Sequence, residues 1–515
     1  MAITTLINDF PPLPSQALKK RQPKGKKDSN KRQCPESVDR HVTLNDLPDE
    51  LILEVLHYLP GIDMQDFQLH TLLSLSLTTR NLHRVVSDKI YSTYDSYFCE
   101  PFLFLRTLIS NPRLGESVRH AKFRYGDDAH LERKRYSPTA RDKKIIKEGM
   151  KALDFPDWKG WATRCNSVDV ELDILHTAVM LHTPNLVTLD VEDGLISAYS
   201  KAKWPELIKK ATTGEHFGHA HRFKALQSVR VDAQNMVIHH LVPILRLQSL
   251  RKLELRELSE VELDMRAPAE LRRVLPPGCN NLEELVLEEC SLRYDALETL
   301  IASARGLRSF RFDANQESVL LGGSGVMLQN ALWRQQNCLE SLDIYHDPWH
   351  KDDEDHLQHG GLEQFPVLRD LKCPLRMVVD VRSGASATVL EFLPPALETL
   401  CLTIRWGADE ELFLHVLERM ASEYSTTVPQ LRRLQLNIQV PAEELDFDCE
   451  RLVKAYSTTN VELIINLPSD SDDEEWGDWR TVSSDSDDSD DSSDEVDLYS
   501  DSDSSSDTNS ENESG

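Results

Sequence analysis

The chain has no pair of cysteines at metal or redox spacing and no Cys-x-x-Cys; its nine cysteines are scattered and odd in number. That excludes a disulfide scaffold and a zinc finger, and fits a reducing compartment. No apolar run approaches the about 18 residues of a membrane span. Met1 to Pro14 lacks the basic-then-apolar order of a secretory leader. The expectation is a nuclear or cytoplasmic protein, neither secreted nor membrane-bound. Basic charge is also short: 58 Lys and Arg stand against 86 Asp and Glu, for a net charge of −28. Residues 469–515 hold 19 acids and one arginine, so −18 of that total sits there. The rest has an ordinary acidic balance, which argues against a nucleic-acid-binding body.

Chemistry-bearing motifs are equally sparse. Gly322, Gly323, Ser324 and Gly325 lack the Lys-Ser/Thr of a phosphate loop and read as the approach to a helix near Met327. His216, His219 and His221, and separately His346, His350, His356 and His359, cluster without converging cysteines, so solvated loops are the simpler reading. No Gly-x-Ser-x-Gly elbow is present. No catalytic residue, metal ligand or cofactor site is expected, and the chain is read as a non-enzyme.

What is present begins at Leu47. Leu47, Pro48, Asp49, Glu50, Leu51 and Ile52 open a short helix continuing through Val55, Leu56 and Leu59 to Pro60-Gly61. Asn45 and Asp46 are N-cap candidates, and Pro48, Asp49 and Glu50 suit a first turn. Leu72 to Leu77, with Leu73 and Leu75, and then Leu82, Val85, Val86 and Ile90 supply two more apolar stretches. Three such helices bury little surface alone, so part of the stripe awaits a partner. The Leu-Pro-x-Glu-Leu start, Leu-Leu-x-Leu-Ser-Leu and Leu-x-x-Val-Val resemble the F-box family. Gly61 to His70 lengthens the first linker, and the tryptophan many members carry near the third helix is missing. The resemblance implies a Skp-type adaptor and, through it, a cullin–RING ubiquitin ligase as partners. Leu47, Pro48, Glu50, Leu51, Ile52, Val55, Leu56, Leu59, Leu73 and Leu75 would form the adaptor surface.

Self-similarity organises the next 370 or so residues. Nine segments share an apolar-x-x-apolar-x-apolar pattern, with first apolar residues at Leu186, Leu226, Leu250, Leu282, Leu307, Leu339, Leu368, Leu397 and Leu431. Val118 to Phe123 reads as an earlier degenerate copy, and Val461 to Leu467 as a closing strand. Helical stretches such as Tyr294 to Ala304, Met327 to Gln336 and Glu410 to Glu423 lie between. A strand and a helix every 24 to 40 residues predict an irregular leucine-rich-repeat solenoid with a parallel sheet. The family's turn residue shows only at Cys290 and Asn315; Leu258, Arg405 and Gln439 stand elsewhere, so the turns should be irregular. Cys290, Cys338, Cys373 and Cys401 are expected to be small core residues.

An F-box followed by such repeats resembles the F-box/leucine-rich-repeat proteins, notably their divergent fungal members. The expected fold class is therefore α/β, a three-helix F-box then a solenoid, with disordered termini. The expected division is a basic arm over 1–40, the F-box over 41–97, the solenoid over 98–468 and an acidic tail over 469–515.

Residues alternating with the buried positions should form one exposed ribbon of mixed charge, suited to a protein ligand or simply to solvent. Arg230, Lys252, Arg256, Glu284, Arg311, Asp343 and Tyr345 are the candidate substrate contacts. Phe10 to Pro14 reads as a polyproline ligand or a plain linker. Lys19, Lys20, Arg21, Lys24, Lys26, Lys27, Lys31 and Arg32 read as a nuclear-import signal or a solvated arm. Ser469, Ser484, Ser492, Ser500, Ser504 and Ser510 each precede an acid by three residues and are candidate phosphorylation sites in the acidic tail. The function expected is that of a substrate receptor of an SCF-type ligase. The alternatives are a non-ligase scaffold, or a chromatin- or nucleic-acid-associated factor using the basic arm.

Overall fold

The computed structural model describes residues 47–58, 65–125, 136–167, 171–192, 203–233, 236, 238–258, 267–314, 325–345, 361–379, 393–405, 410–439 and 449–467. Among them it contains 15 α-helices and a single 12-stranded sheet.

Three helices come first: α1 (Asp49–His57), α2 (Gln65–Ser76) and α3 (Arg80–Ile90). Pro48 sits at the N-cap of α1 with no side-chain cap bond, while Asn45, Asp46 and Leu59 lie outside the described residues. Helix α2 begins at Gln65, so the connection after α1 is shorter than Gly61 to His70. Thr79 caps α3 by accepting from the Leu82 N–H at 3.2 Å, and Arg84 on α3 reaches Asp49 on α1 at 2.7 Å. Ile52, Leu56, Leu72, Leu82, Val85 and Val86 form a small core of their own, with Leu47, Leu75 and Ile90 packed against it.

The sheet starts earlier than the repeats suggest. β1 (Thr93–Asp95) pairs in parallel with β2 (His120–Arg124), and buried Tyr94 points into the main core. Residues 93–95, expected to close the helical unit, belong to the sheet. Between these strands lie α4 (Pro101–Ser110) and α5 (Pro112–Ser117). After β2 come α6 (Ala140–Ala152), α7 (Trp158–Cys165) and α8 (Leu172–Leu181), then β3 (Thr188–Glu192), α9 (Lys203–Thr212) and β4 (Ser228–Asp232). The array continues with α10 (Ile238–Leu245), β5 (Lys252–Arg256), α11 (Ala267–Val274), β6 (Glu284–Cys290), α12 (Tyr294–Ser303) and β7 (Ser309–Ala314). It closes with α13 (Gly325–Trp333), β8 (Ser341–Ile344), β9 (Asp370–Pro374), β10 (Thr399–Arg405), α14 (Glu410–Thr427), β11 (Arg433–Gln439), α15 (Cys449–Tyr456) and β12 (Glu462–Asn466).

The twelve strands lie in sequence order and every pairing is parallel. All nine repeating segments, the degenerate copy and the closing segment therefore fall on strands. In β3, β4 and β5 the pattern is strictly alternate: Leu189 and Val191, Val229 and Val231, Leu253 and Leu255 are buried. Each buried leucine contributes about 2 kcal/mol relative to an exposed one, and the stack fuses them into one continuous core.

Among the described strand pairings the register shifts at one place, between Leu287 and Cys290. There the Cys290 thiol lies 3.5 Å from the Leu255 carbonyl and 3.3 Å from that of Glu288. Turn backbone at the opposite edge is satisfied by buried amides. Gln335 accepts from the Leu307 N–H and donates to the carbonyls of Ile301 and Ala304. Asn280 accepts from the Leu282 N–H and donates to Ser303 Oγ. Unpaired buried backbone groups are costly, which explains polar side chains at these depths.

Polar anchors also organise the helices behind β2 to β4. Thr139 and Asp142 form a capping box on α6. Burial alone would raise the Asp142 carboxyl, but bonds from Thr139, Tyr136 and Arg106 hold it down at about 2. Asp173, in the first turn of α8, which is buried from Asp173 to Leu181, accepts from the Lys203 N–H at 2.6 Å and Tyr125 Oη at 3.2 Å.

Candidate functional surfaces

Two surfaces stand out, one on the helical unit and one on the sheet. On α1, Ile52 and Leu56 turn inward and are 1% and 3% exposed, whereas Leu51 and Val55 turn outward at 51% and 49%. The ten expected adaptor residues therefore do not form one face. Ile52 and Leu56 are corrected to the unit's own core; a broad apolar stripe serves both purposes, and its inner half is the half that packs on α3. Pro48 and Glu50 are exposed, while Leu47, Leu73 and Leu75 are half-buried. Leu53, Tyr58 and Leu77, at 45%, 78% and 66% exposure, extend the outward apolar surface. The sequence reading passed them over because Leu53 breaks the stripe's period and Tyr58 and Leu77 lie just beyond the helix ends.

The exposed sheet face holds every residue expected there, but not as free charge. Its middle row runs through register partners Asp95, Lys122, Asp190, Arg230 and Glu254, alternating in sign from β1 to β5. Arg230 lies 3.0 Å from Glu254 and 3.8 Å from Asp190, which Lys122 also approaches to 3.8 Å. Val286 on β6 interrupts the row, which resumes with Arg311, Asp343 and Lys372. Arg311 lies 3.6 Å from Asp343, and Lys372 3.4 Å.

The neighbouring rows are laced in the same way. Arg124 approaches Glu192 and Asp95, Arg256 lies 2.7 Å from Glu288, and Lys252 lies 2.6 Å from Glu284. Arg311 also reaches Glu288 at 3.2 Å. Burial pushes the carboxyls of Asp190 and Asp313 up, opposed by Lys122 and Arg230 and by Arg311 respectively. Arg230, Arg256 and Arg311 are thus half-buried and paired with carboxylates on neighbouring strands.

Past β9 the face changes character. Asn437 accepts from Gln435 at 3.0 Å and Asn466 at 2.9 Å, and its own amide lies 3.2 Å from Cys401 Sγ. Cys401 is buried but lies on this exposed-face row, not in the core, whereas Cys290 and Cys373 are core residues. Cys338 is half-buried. Tyr345, half-buried, has Lys372 Nζ 5.8 Å from its ring centre and Gln439 bonded to its hydroxyl.

In the first histidine cluster His216 and His219 are exposed, as expected of a solvated loop, while the His221 ring is engaged in the fold. His221 Nε2 bonds the Met180 carbonyl at 2.7 Å, and burial lowers its pKa. The His219 N–H donates to Leu153 O. No group of three or more metal-ligating residues occurs among the described residues. Among them no helix is long and apolar enough to cross a membrane. His346, His350, His356, His359, Gly322 to Ser324, Asn315, residues 1–40 and the six candidate phosphorylation serines lie outside the described residues.

Residues 44–92 match the sequence model of the F-box domain family. The match ends one residue before β1, where the helical unit gives way to the sheet. The chain thus carries an F-box, a domain that binds Skp1-type adaptors in cullin–RING ligases and that is typical of non-catalytic substrate-receptor subunits. No curated protein matches the chain significantly.

Proposed function

We propose that this chain is the substrate receptor of an SCF-type cullin–RING ubiquitin ligase. In this reading the strand array is an irregular leucine-rich-repeat solenoid that presents a protein substrate, and chemistry is left to the ubiquitin-conjugating partner. The observation that carries the proposal is the outward apolar surface of Leu51, Leu53, Val55 and Tyr58 on a unit whose own core is already filled by Ile52 and Leu56. An exposed patch of that kind on so small a unit fits a docking face.

The substrate face is the exposed side of the sheet. Because its cations from β2 to β9 are already paired, a ligand would gain little from simple charge attraction there. Shape and hydrogen bonding, including the uncharged cluster of Cys401, Gln435 and Asn437, would decide specificity. Residues 1–40 serve as a basic arm and 469–515 as an acidic segment phosphorylated at the six serines named above. The full chain, incubated with a recombinant Skp-type adaptor and cullin, should form a ternary complex. The Leu51→Glu/Val55→Glu variant should fail to do so while keeping its melting temperature. Adaptor binding without cullin would favour a non-ligase scaffold.

A further inference from the structure

We infer that the flank built by α6, α7 and α9 is a docking site for an acidic, Asp/Glu- or phosphoserine-rich segment of a partner protein. The inference is independent of adaptor docking. It starts from a contrast between two sets of cations. On the sheet face, each described Lys and Arg side chain has a carboxylate within reach, from Lys122 through Lys372 to Arg433. On α6, Arg141, Lys144, Lys147 and Lys151 are all exposed, and none has a carboxylate partner among the described residues.

These four recur at spacings of three, three and four, which places them on a single arc of the helix. Glu148 is the acid on that arc. Asp142, the helix's other acid, is buried and engaged by Thr139, Tyr136 and Arg106, so it does not neutralise the stripe. Helix α7 packs against α6 and brings Lys159, whose ammonium lies 5.7 Å from the Trp158 ring centre. Lys210 on α9 lies 5.9 Å from the ring centre of Phe155, in the α6–α7 connection. Cations resting on aromatic faces are held in place without being neutralised.

Charge complementarity selects the occupant. Outside residues 469–515 the chain carries a net −10, so an extended polyanion such as duplex DNA or an anionic membrane outruns the flank onto a mildly acidic body. A short acidic segment does not. The stripe on α6 is about 15 Å long, matched by roughly five residues of extended peptide.

The test is a fluorescence-anisotropy titration of the full chain with a labelled Asp/Glu peptide about eight residues long. Its controls are an Asn/Gln peptide of equal length, a short DNA duplex and vesicles containing phosphatidylserine. The acidic peptide should bind in a salt-sensitive manner and the Asn/Gln peptide should not. The triple reversal Lys144→Glu/Lys147→Glu/Lys151→Glu should weaken binding at least about ten-fold. The neutral Gln triple should fall in between with an unchanged melting temperature, which guards against a folding defect in the reversal. Undiminished affinity in the Gln and Glu triples would overturn the assignment. So would tighter binding of the duplex or the vesicles than of the peptide.

Discussion

Asp173→Asn should make the protein more stable at neutral pH, and the gain should vanish in acid. Asp173 is 5% exposed, and burial pushes its carboxyl up to about 6 despite the bonds from Lys203 N–H and Tyr125 Oη. In the unfolded chain the group titrates near about 3.9. A raised carboxyl pKa means that the folded state binds more protons between those two values. Stability therefore falls as pH rises from about 4 to about 6 and then levels off. Two pKa units correspond to about 3 kcal/mol, an upper limit on the cost of holding the charge in this site. Asparagine is nearly isosteric, can accept from Lys203 N–H with its oxygen, and can donate its amide to the Tyr125 hydroxyl. Thermal unfolding of both proteins across pH 4 to 7.5 should show coincident midpoints at the acid end. The variant should pull ahead through about pH 6 and hold a constant lead above it. A lead that does not change with pH, or a less stable variant at pH 7.5, would refute the reasoning.

Leu51→Glu/Val55→Glu should abolish adaptor co-precipitation without lowering the melting temperature. Leu56→Ala should cost about 2–5 kcal/mol by opening a cavity in the small core, visible as loss of protease resistance over residues 47–92. Arg230→Glu should lower the melting temperature through a loss of about 1–3 kcal/mol, since the new carboxylate faces Asp190 and Glu254; an unchanged midpoint would mean the ladder contributes nothing. Gly218→Ala should destabilise by about 2 kcal/mol or more. Gly218 has φ +58°, and an added Cβ would lie 2.1 Å from the Asp154 carbonyl oxygen. Circular dichroism at matched concentration reads this change.

The strand positions were legible because each repeat declares itself locally. Leu253 and Leu255 alternate, Leu250 precedes them by a fixed interval, and such a pattern suits a short strand buried on one face. β1 escaped because Thr93-Tyr94-Asp95 offers one core residue and no recurring leucine. Inward and outward halves of α1 were illegible for a different reason. Leu51 and Ile52 are adjacent and equally apolar, and only the packing of α3 decides which of them is covered. The charge ladder was hidden because its partners are distant in sequence: Asp190, Arg230 and Glu254 meet only when three strands stack in register. Gln335 and Asn280 read as surface residues by type; their burial follows from turn carbonyls and N–H groups that needed partners.

The ladder also bears on how the sheet face can work. A row of alternating charges held 3.0 to 3.8 Å apart is stiff, since moving one side chain unpairs two neighbours. Such a row neutralises itself at long range, so it offers poor steering to a charged ligand but a sharp penalty to a wrong one. A misplaced carboxylate must compete with Glu254 for Arg230, and a misplaced cation with Lys122 for Asp190. The uncharged cluster of Cys401, Gln435 and Asn437 is one place on that face where a ligand need not displace an ion pair, whereas Val286, which breaks the charged row, is itself only 7% exposed. Substitutions at Gln435 should therefore alter the affinity for the proposed protein substrate more than substitutions at the paired residues do. Equal losses at both kinds of position, with folding intact, would assign recognition to the charges themselves.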